Sequence, residues 1–210
     1  MISLDNVSFR YPKARTDIIS GLSCSFSPGE CVAVTGRNGC GKTTLVRLIT
    51  GIQRPREGRI CIDGADISQL DLCSIGRLAG CVFQDPGRQL FCTTVTEEIR
   101  FGLVNMGLDE AEIAARTAKW MEFFRLEHLA SAFPGKLSQG EKQRVVLAAV
   151  LAMGTRYVIL DEPTSGLDMR ARQELGEHIS RLAAEGGGVI FVSHERSFIE
   201  KYATRELVMP

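Results

Sequence analysis

The sequence predicts an α/β fold with a mostly parallel sheet, a small antiparallel β subdomain and an inserted helical subdomain. Four short apolar runs have the character of buried parallel strands, at residues 31–35, 80–83, 157–160 and 189–193. Each run leads at once into a glycine loop or a polar side chain, namely Gly36, Gln84, Asp161 or His194. Because ligands bind beyond the carboxyl ends of such strands, these four positions should converge on one edge of the sheet.

Three further strands predict the antiparallel subdomain. Residues 2–10 roughly alternate apolar and polar side chains, which is typical of a half-exposed strand, and they end at Tyr11. Residues 22–28 and 58–63 have the pattern of further short strands. We therefore expect a small antiparallel sheet around the glycine loop that follows residue 35.

That loop, residues 36–43, fits the phosphate-binding pattern G-x-x-x-x-G-K-[ST] at every fixed position. An apolar strand precedes it and a helical segment, 44–49, follows it, which is the context that supports a P-loop NTPase core. Backbone N–H groups and the helix N-terminus would bind phosphate oxygens. Lys42 would contact the β- and γ-phosphates, and the Thr43 hydroxyl would bind Mg²⁺. The predicted nucleotide-binding residues here are Gly36, Asn38, Gly39, Cys40, Gly41, Lys42, Thr43 and Thr44.

Residues 96–153 predict the helical subdomain, because they contain helical spacing and no strong strand pattern. Asp109 followed by Glu112 resembles a helix start with a capping box. Trp120 falls on the apolar face of that helix, so we expect it in the core. Further along, Ser138 and Glu141 form a second capping-box pattern, and a serine and a glycine at a helix N-terminus can also bind an anion.

Two acidic residues close the third apolar run and complete the pattern of a phosphate-transfer site. Asp161 is expected to hold Mg²⁺ through water, and Glu162 to orient or deprotonate the attacking water. His194, which ends the last run, could hydrogen-bond the γ-phosphate and hold the water and Glu162 in line. Gln84 is expected to act both as a metal ligand and in catalysis.

Composition narrows the choice of partners. Lysine plus arginine and aspartate plus glutamate both number 25, so there is no basic excess of the kind that nucleic-acid binding favours. No apolar run approaches the roughly 20 residues of a membrane span, and the N-terminus lacks a signal-peptide pattern. We therefore expect that the chain does not bind nucleic acid and contains no membrane-spanning segment.

Together these motifs resemble the nucleotide-binding subunit of ABC (ATP-binding cassette) transporters over essentially the whole chain. The signature segment 137–141 is the most specific of them, since other P-loop families lack it. The resemblance implies ATP and Mg²⁺ as cofactors, an adenine ring stacked on an aromatic residue, and ATP hydrolysis coupled to transport. In chain order the matching motifs are Tyr11, 36–43, Gln84, 137–141, Asp161 with Glu162, 165–168 and His194.

The resemblance also implies a head-to-tail dimer in which two cassettes enclose two ATP molecules. Ser138 and Gly140 would reach the γ-phosphate bound by the partner chain, and Asp168 would lie across the interface. The second cassette could be an identical copy or a paralogue. A membrane partner would dock near the segment after Gln84.

Residues 82–86, 89–91 and 94–102 resemble more narrowly the energy-coupling-factor branch, which imports vitamins or cobalt and nickel ions. This implies a transmembrane coupling subunit, a substrate-binding membrane component and a peripheral location on the cytoplasmic face of the cell membrane. The chain would be a single ABC ATPase domain, 1–210, with its core at about 1–92 and 154–210. The helical subdomain would span about 93–153.

Two departures from the family pattern are visible. The signature reads Leu-Ser-Gln-Gly-Glu rather than Leu-Ser-Gly-Gly-Gln, which leaves the strength of dimer closure open while Ser138 and Gly140 are retained. The sequence also stops at 206–210, where relatives usually continue through another strand and often a further domain. We expect a minimal cassette without a regulatory domain at that end.

Other functions remain open at this point. The chain could serve an ordinary ABC importer or exporter, or be a soluble ABC ATPase that acts on DNA or ribosomes. The latter usually have two cassettes or a long coiled-coil insertion, and this sequence has neither. A binding module without turnover would often lack Glu162 or His194. A GTPase is disfavoured because no N-K-x-D pattern is present.

Overall fold

The computed structural model describes all 210 residues, which form a parallel and an antiparallel sheet with seven helices. The strands are β1 (Ile2–Phe9), β2 (Ile19–Phe26), β3 (Cys31–Thr35), β4 (Glu57–Ile62), β5 (Ala65–Asp66), β6 (Ala79–Val82), β7 (Tyr157–Asp161), β8 (Gly188–Val192) and β9 (Arg205–Val208). The helices are α1 (Lys42–Ile49), α2 (Leu72–Leu78), α3 (Val95–Met106), α4 (Glu110–Phe123), α5 (Gln139–Ala152), α6 (Met169–Ala184) and α7 (Arg196–Tyr202).

The parallel sheet has the order β6-β7-β8-β3-β9. All four predicted parallel strands are therefore confirmed and lie side by side, so their carboxyl ends meet at one edge. Residues 205–208, which have no strand pattern in the sequence, form the fifth strand, β9, which pairs with β3. Its four residues alternate between half-buried and exposed, so it lacks the continuous apolar run of the other four.

The antiparallel sheet has the order β2-β1-β4-β5 and confirms the predicted β subdomain. The strand predicted at 22–28 begins at Ile19, because β2 pairs with β1 as far as Phe9 opposite Ile19. Apolar side chains from β1 and β4 bury against α1 and one face of the parallel sheet. This cluster fixes the start of α1 relative to the strand ends, and the phosphate loop lies between them.

The helices α3, α4 and α5 pack against one another and onto the other face of the parallel sheet. Trp120 is 4% exposed within this cluster, which confirms its predicted place in the core. Asp109 caps α4 by accepting a hydrogen bond from the Glu112 N–H at 2.9 Å. The predicted capping box is only half formed there, since the Glu112 carboxylate accepts instead from Arg116 at 2.5 Å. No helix combines the length and the apolarity that crossing a lipid bilayer requires.

Candidate nucleotide-binding site

The phosphate loop connects β3 to α1 and is shaped by glycines with positive φ. Gly41 caps α1 with φ 103°, a conformation that L-residues with a side chain rarely adopt. Lys42 opens the helix and is 7% exposed; its Nζ donates hydrogen bonds to the carbonyl oxygens of Gly36 (2.9 Å) and Arg37 (3.0 Å). The ammonium group is therefore held over the loop, where it can meet an anion.

Gly36 is required for a different reason. Its φ is 140°, and a Cβ atom at this position would lie 2.7 Å from the carbonyl oxygen of Met209. The residue that follows β9 therefore packs directly onto the start of the loop. Any larger residue would push the loop and the carboxyl end of β9 apart.

A cavity of about 710 Å³ opens beyond the carboxyl ends of β3, β7 and β8. Its size lies within the range of small-molecule sites. It brings together most of the predicted site residues, so the expected convergence on one sheet edge is observed. The lining residues are Tyr11, Ile18, Asn38, Gly39, Gly41, Lys42, Thr43, Thr44, Gln84, Asp161, Glu162, Ser165, Val192 and His194.

Asp161, the last residue of β7, is 1% exposed, and its Oδ2 atom has no hydrogen-bond partner. The pKa of this carboxyl is raised overall because it is buried. A hydrogen bond from Thr43 and the charges of Arg47 and Lys42 partly offset the rise. A buried, unpaired carboxylate oxygen beside a threonine hydroxyl fits a hydrated Mg²⁺ ion, which prefers hard oxygen ligands.

Glu162 has φ 54°, an uncommon conformation for a residue with a side chain, and its N–H donates to the Val192 carbonyl oxygen at 3.0 Å. This bond places its side chain beside His194, with 3.4 Å between Oε1 and Nε2. The pKa of Glu162 is raised overall, chiefly by burial and also by the nearby Asp161 charge. His194 and Lys42 partly offset this rise. The side chain is 19% exposed, so the carboxyl is shielded yet borders the cavity.

Tyr11 is anchored at the mouth of the cavity. Its hydroxyl oxygen accepts a hydrogen bond from Arg47 Nη1 (3.2 Å) and lies 3.2 Å from Thr44 Oγ1. Its ring meets the Phe9 ring edge to face, with 4.9 Å between centroids. Arg47 is a site residue that the sequence does not reveal, since nothing in its local pattern shows that α1 turns it toward Tyr11.

Other site residues were also missed. Ile18 and Val192 line the cavity through packing next to β2 and at the end of β8, which no motif marks. Ser165 also lines the cavity, and its place in the 165–168 motif could have predicted this. Conversely, Gly36 and Cys40 belong to the phosphate loop but do not line the cavity.

Ser138, Gly140 and Asp168 do not line this cavity either. Ser138 caps α5 in the predicted capping box; its hydroxyl donates to Glu141 Oε2 at 2.6 Å. Asp168 caps α6 by accepting from the Ala171 N–H at 2.8 Å. Within one chain, these three predicted ligands therefore serve helix starts outside the phosphate site.

The start of α5 nevertheless contacts the segment after Glu162. A Cβ atom on Gly140 would lie 2.5 Å from the Gly166 carbonyl oxygen, so only glycine permits this approach. The buried Gln143 side chain donates to the Pro163 carbonyl oxygen at 3.2 Å. A shift of the signature helix would therefore act directly on the backbone that carries Glu162.

Residues 19–165 match the sequence profile of the ABC transporter family. The chain belongs to this family. It is 40% identical to the cobalt import ATP-binding protein CbiO of Syntrophus aciditrophicus over 92% of this chain and 70% of that protein. It is 39% identical to the energy-coupling factor transporter ATP-binding protein EcfA of Methanothermobacter thermautotrophicus, over 100% of this chain and 68% of that protein.

The fold of this cassette also matches a solved structure of the dimeric ATP-binding cassette MJ0796 in a post-hydrolysis state with ADP and Pi. The TM-score is 0.90 at 26% identity, covering 100% of this chain and 94% of the other. The predicted family and P-loop fold class are therefore confirmed. The chain is an ATP-binding, ATP-hydrolysing subunit of an ABC transporter.

Proposed function

We propose that this cassette is the motor subunit of an energy-coupling-factor importer that takes up a vitamin, or cobalt or nickel ions. The observation that carries the proposal is the similarity to CbiO and EcfA over nearly the whole chain. These relatives are named for cobalt import and for energy-coupling factor transport. The cassette would work at the cytoplasmic face of the cell membrane as a peripheral subunit, without nucleic acid.

In this proposal each cavity residue has a separate role in ATP binding or hydrolysis. Lys42 contacts the β- and γ-phosphates, and Tyr11 stacks on adenine with its hydroxyl fixed by Arg47. Glu162 accepts the proton of the attacking water, and His194 holds the γ-phosphate beside it.

Mg²⁺, when bound, would neutralise phosphate charge. Thr43, Gln84 and, through water, Asp161 would hold it. The unpaired buried oxygen of Asp161 supports this assignment.

The proposed active unit is a dimer, formed with a second copy or a paralogue. Ser138 and Gly140 lie outside the cavity of their own chain, which supports a role at the partner's ATP. Asp168, at the start of α6, would lie at the same interface. The chain would be one ABC ATPase domain, with the helical subdomain at about 93–153 carrying the signature segment.

An exposed aromatic pair after Gln84 supports contact with a membrane subunit. Phe91 and Phe101 are 64% and 44% exposed, and their ring centroids are 4.7 Å apart. The backbone N–H groups of Phe91 and Cys92 donate to the buried Glu98 carboxylate, which keeps the pair in place. A rigid, exposed aromatic pair is the kind of anchor that protein interfaces use.

A second cavity, of about 490 Å³, adjoins the nucleotide cavity and shares Thr43 and Gln84 with it. It is also lined by Arg88 and Gln89 from the segment after β6. A membrane subunit that occupies this cavity would therefore touch Thr43 and Gln84, two of the residues proposed to hold Mg²⁺. This provides a short path from the membrane partner to hydrolysis.

We expect Phe101→Glu to weaken the association with membranes at least about tenfold, because a charge would be buried in an aromatic contact. ATP turnover by the isolated cassette should stay within about twofold, since the side chain lies outside the nucleotide cavity. Flotation of the transporter complex measures the first quantity and phosphate release the second. Val208→Glu, a 67% exposed position on the opposite sheet edge, is the matched control. Equal membrane binding by both variants would refute this docking site.

Affinity purification of the tagged cassette from its native membranes tests the proposed function as a whole. The expected companions are a transmembrane coupling subunit, a small substrate-binding membrane protein and a second cassette. Recovery with a periplasmic-binding-protein importer, with ribosomes or with DNA would contradict it.

A further inference from the structure

Glu195, the residue after His194, connects three segments around the nucleotide site. Its Oε1 atom accepts a hydrogen bond from Thr164 Oγ1 at 2.9 Å. Its Oε2 atom accepts from Arg172 Nη1 at 3.3 Å, and its N–H donates to Ser193 Oγ at 3.1 Å. One carboxylate thus links the loop after β8, the loop after β7 and the first turn of α6.

Arg172 extends this connection to the 165–168 turn. Its Nε atom donates to the Leu167 carbonyl oxygen at 2.8 Å, while its other arm binds Glu195. A planar guanidinium can make both bonds at once, and the ammonium group of lysine cannot reproduce this geometry. Asp168, the next residue, is thereby held in a fixed position relative to Glu195.

The groups that Glu195 and Arg172 bind are buried, which restricts their movement. Thr164 and Ser193 are each 1% exposed, and Leu167 is 4% exposed. A buried hydroxyl needs a partner, so loss of the Glu195 carboxylate would leave Thr164 to find another. The short segment from Glu162 to Thr164 would then lose one of its links to the segment that carries His194.

We propose that Glu195 is a positioning residue that holds His194 and Glu162 in register and ties both to the turn that carries Asp168. The inference rests on the proposed roles of Glu162 and His194 in hydrolysis. It adds that the 165–168 turn, through Leu167, Arg172 and Glu195, sets the geometry of the same chain's catalytic pair. Contact of that turn with a partner cassette would therefore reach His194 through two hydrogen bonds and the peptide bond that joins His194 to Glu195.

The test compares steady-state ATP turnover of the full chain with its stability. Glu195→Gln and Arg172→Lys should each lower kcat about five- to thirtyfold, with KM for ATP and the melting temperature almost unchanged. Thr164→Val should lower kcat similarly, and its combination with Glu195→Ala should add little to the effect of Glu195→Ala alone, because both remove the bond between Thr164 and Glu195. Glu195→Asp should restore part of the rate, since it keeps the charge.

Glu174→Gln is the matched control. Glu174 lies on α6, the helix that also carries Arg172, and its carboxylate binds Arg125 and Arg170. Its side chain is about as exposed as that of Glu195, but it has no link to His194. The substitution should leave kcat within about twofold. A merely structural role for Glu195 would lower the melting temperature and raise KM together, and either that result or an unchanged kcat would overturn the inference. Glu162→Gln in parallel separates the two questions, because retained turnover there would refute the proposed active site itself.

Discussion

Glu162→Gln is expected to lower ATP turnover by a factor of about 10² to 10⁴, the usual contribution of a general base. ATP binding should remain, because the amide has nearly the same shape and Lys42 still contacts the phosphates. The ATP-bound dimer should then accumulate, since hydrolysis no longer opens it. Phosphate release measures the rate, and size-exclusion chromatography with ATP and Mg²⁺ measures the dimer.

Glu162 has the unusual φ of 54°, and glutamine is expected to adopt it as readily as glutamate, so the substitution tests chemistry rather than folding. Glu185→Gln, an exposed position at the end of α6, is the control for a generic loss of charge. Turnover at the parent rate in the Glu162 variant would mean that another group activates the water.

Ser138→Arg is expected to reduce turnover at least about 10²-fold while leaving the affinity of the isolated chain for ATP within about twofold. The side chain is exposed and lies outside the cavity of its own chain. A long cation there would block the approach of the partner's ATP and remove the hydroxyl that caps α5. Equilibrium ATP binding by the monomer and phosphate release by the dimer are the two measurements.

Because the serine also caps α5, a control must separate capping from contact with ATP. Ser138→Asn retains a capping side chain, whereas the arginine variant loses one and costs about 1 kcal/mol of stability. Both should remain folded and bind ATP as monomers. If the arginine variant fails to bind ATP as a monomer, the signature segment would serve its own chain's nucleotide.

Much of the site could be predicted because its residues follow strand ends. The positions of Gln84, Asp161 and His194 at one sheet edge result from the parallel arrangement of the apolar runs. The fixed spacing of the phosphate loop likewise placed Lys42 and Thr43. These features depend on local sequence, so a single chain is enough to reveal them.

Other features depend on contacts between distant segments, which local patterns do not record. Strand β9 is too short and too exposed to stand out, and nothing in the local sequence shows that Met209, which follows it, packs on Gly36. The hydrogen bond between Arg47 and Tyr11 joins residues that are 36 positions apart. The approach of Gly140 to Gly166 likewise exists only in the folded chain.

The most direct test of the central claim mixes two inactive variants, Lys42→Ala and Ser138→Arg. If each ATP lies between the phosphate loop of one chain and the signature segment of the other, a mixed dimer contains one intact site and one doubly damaged site. Random pairing should then restore about one quarter of the parent turnover, because half of the dimers are mixed and each has one working site. Differently tagged chains show how many mixed dimers form. Turnover that stays at the level of the separate variants, although mixed dimers are present, would contradict the shared site.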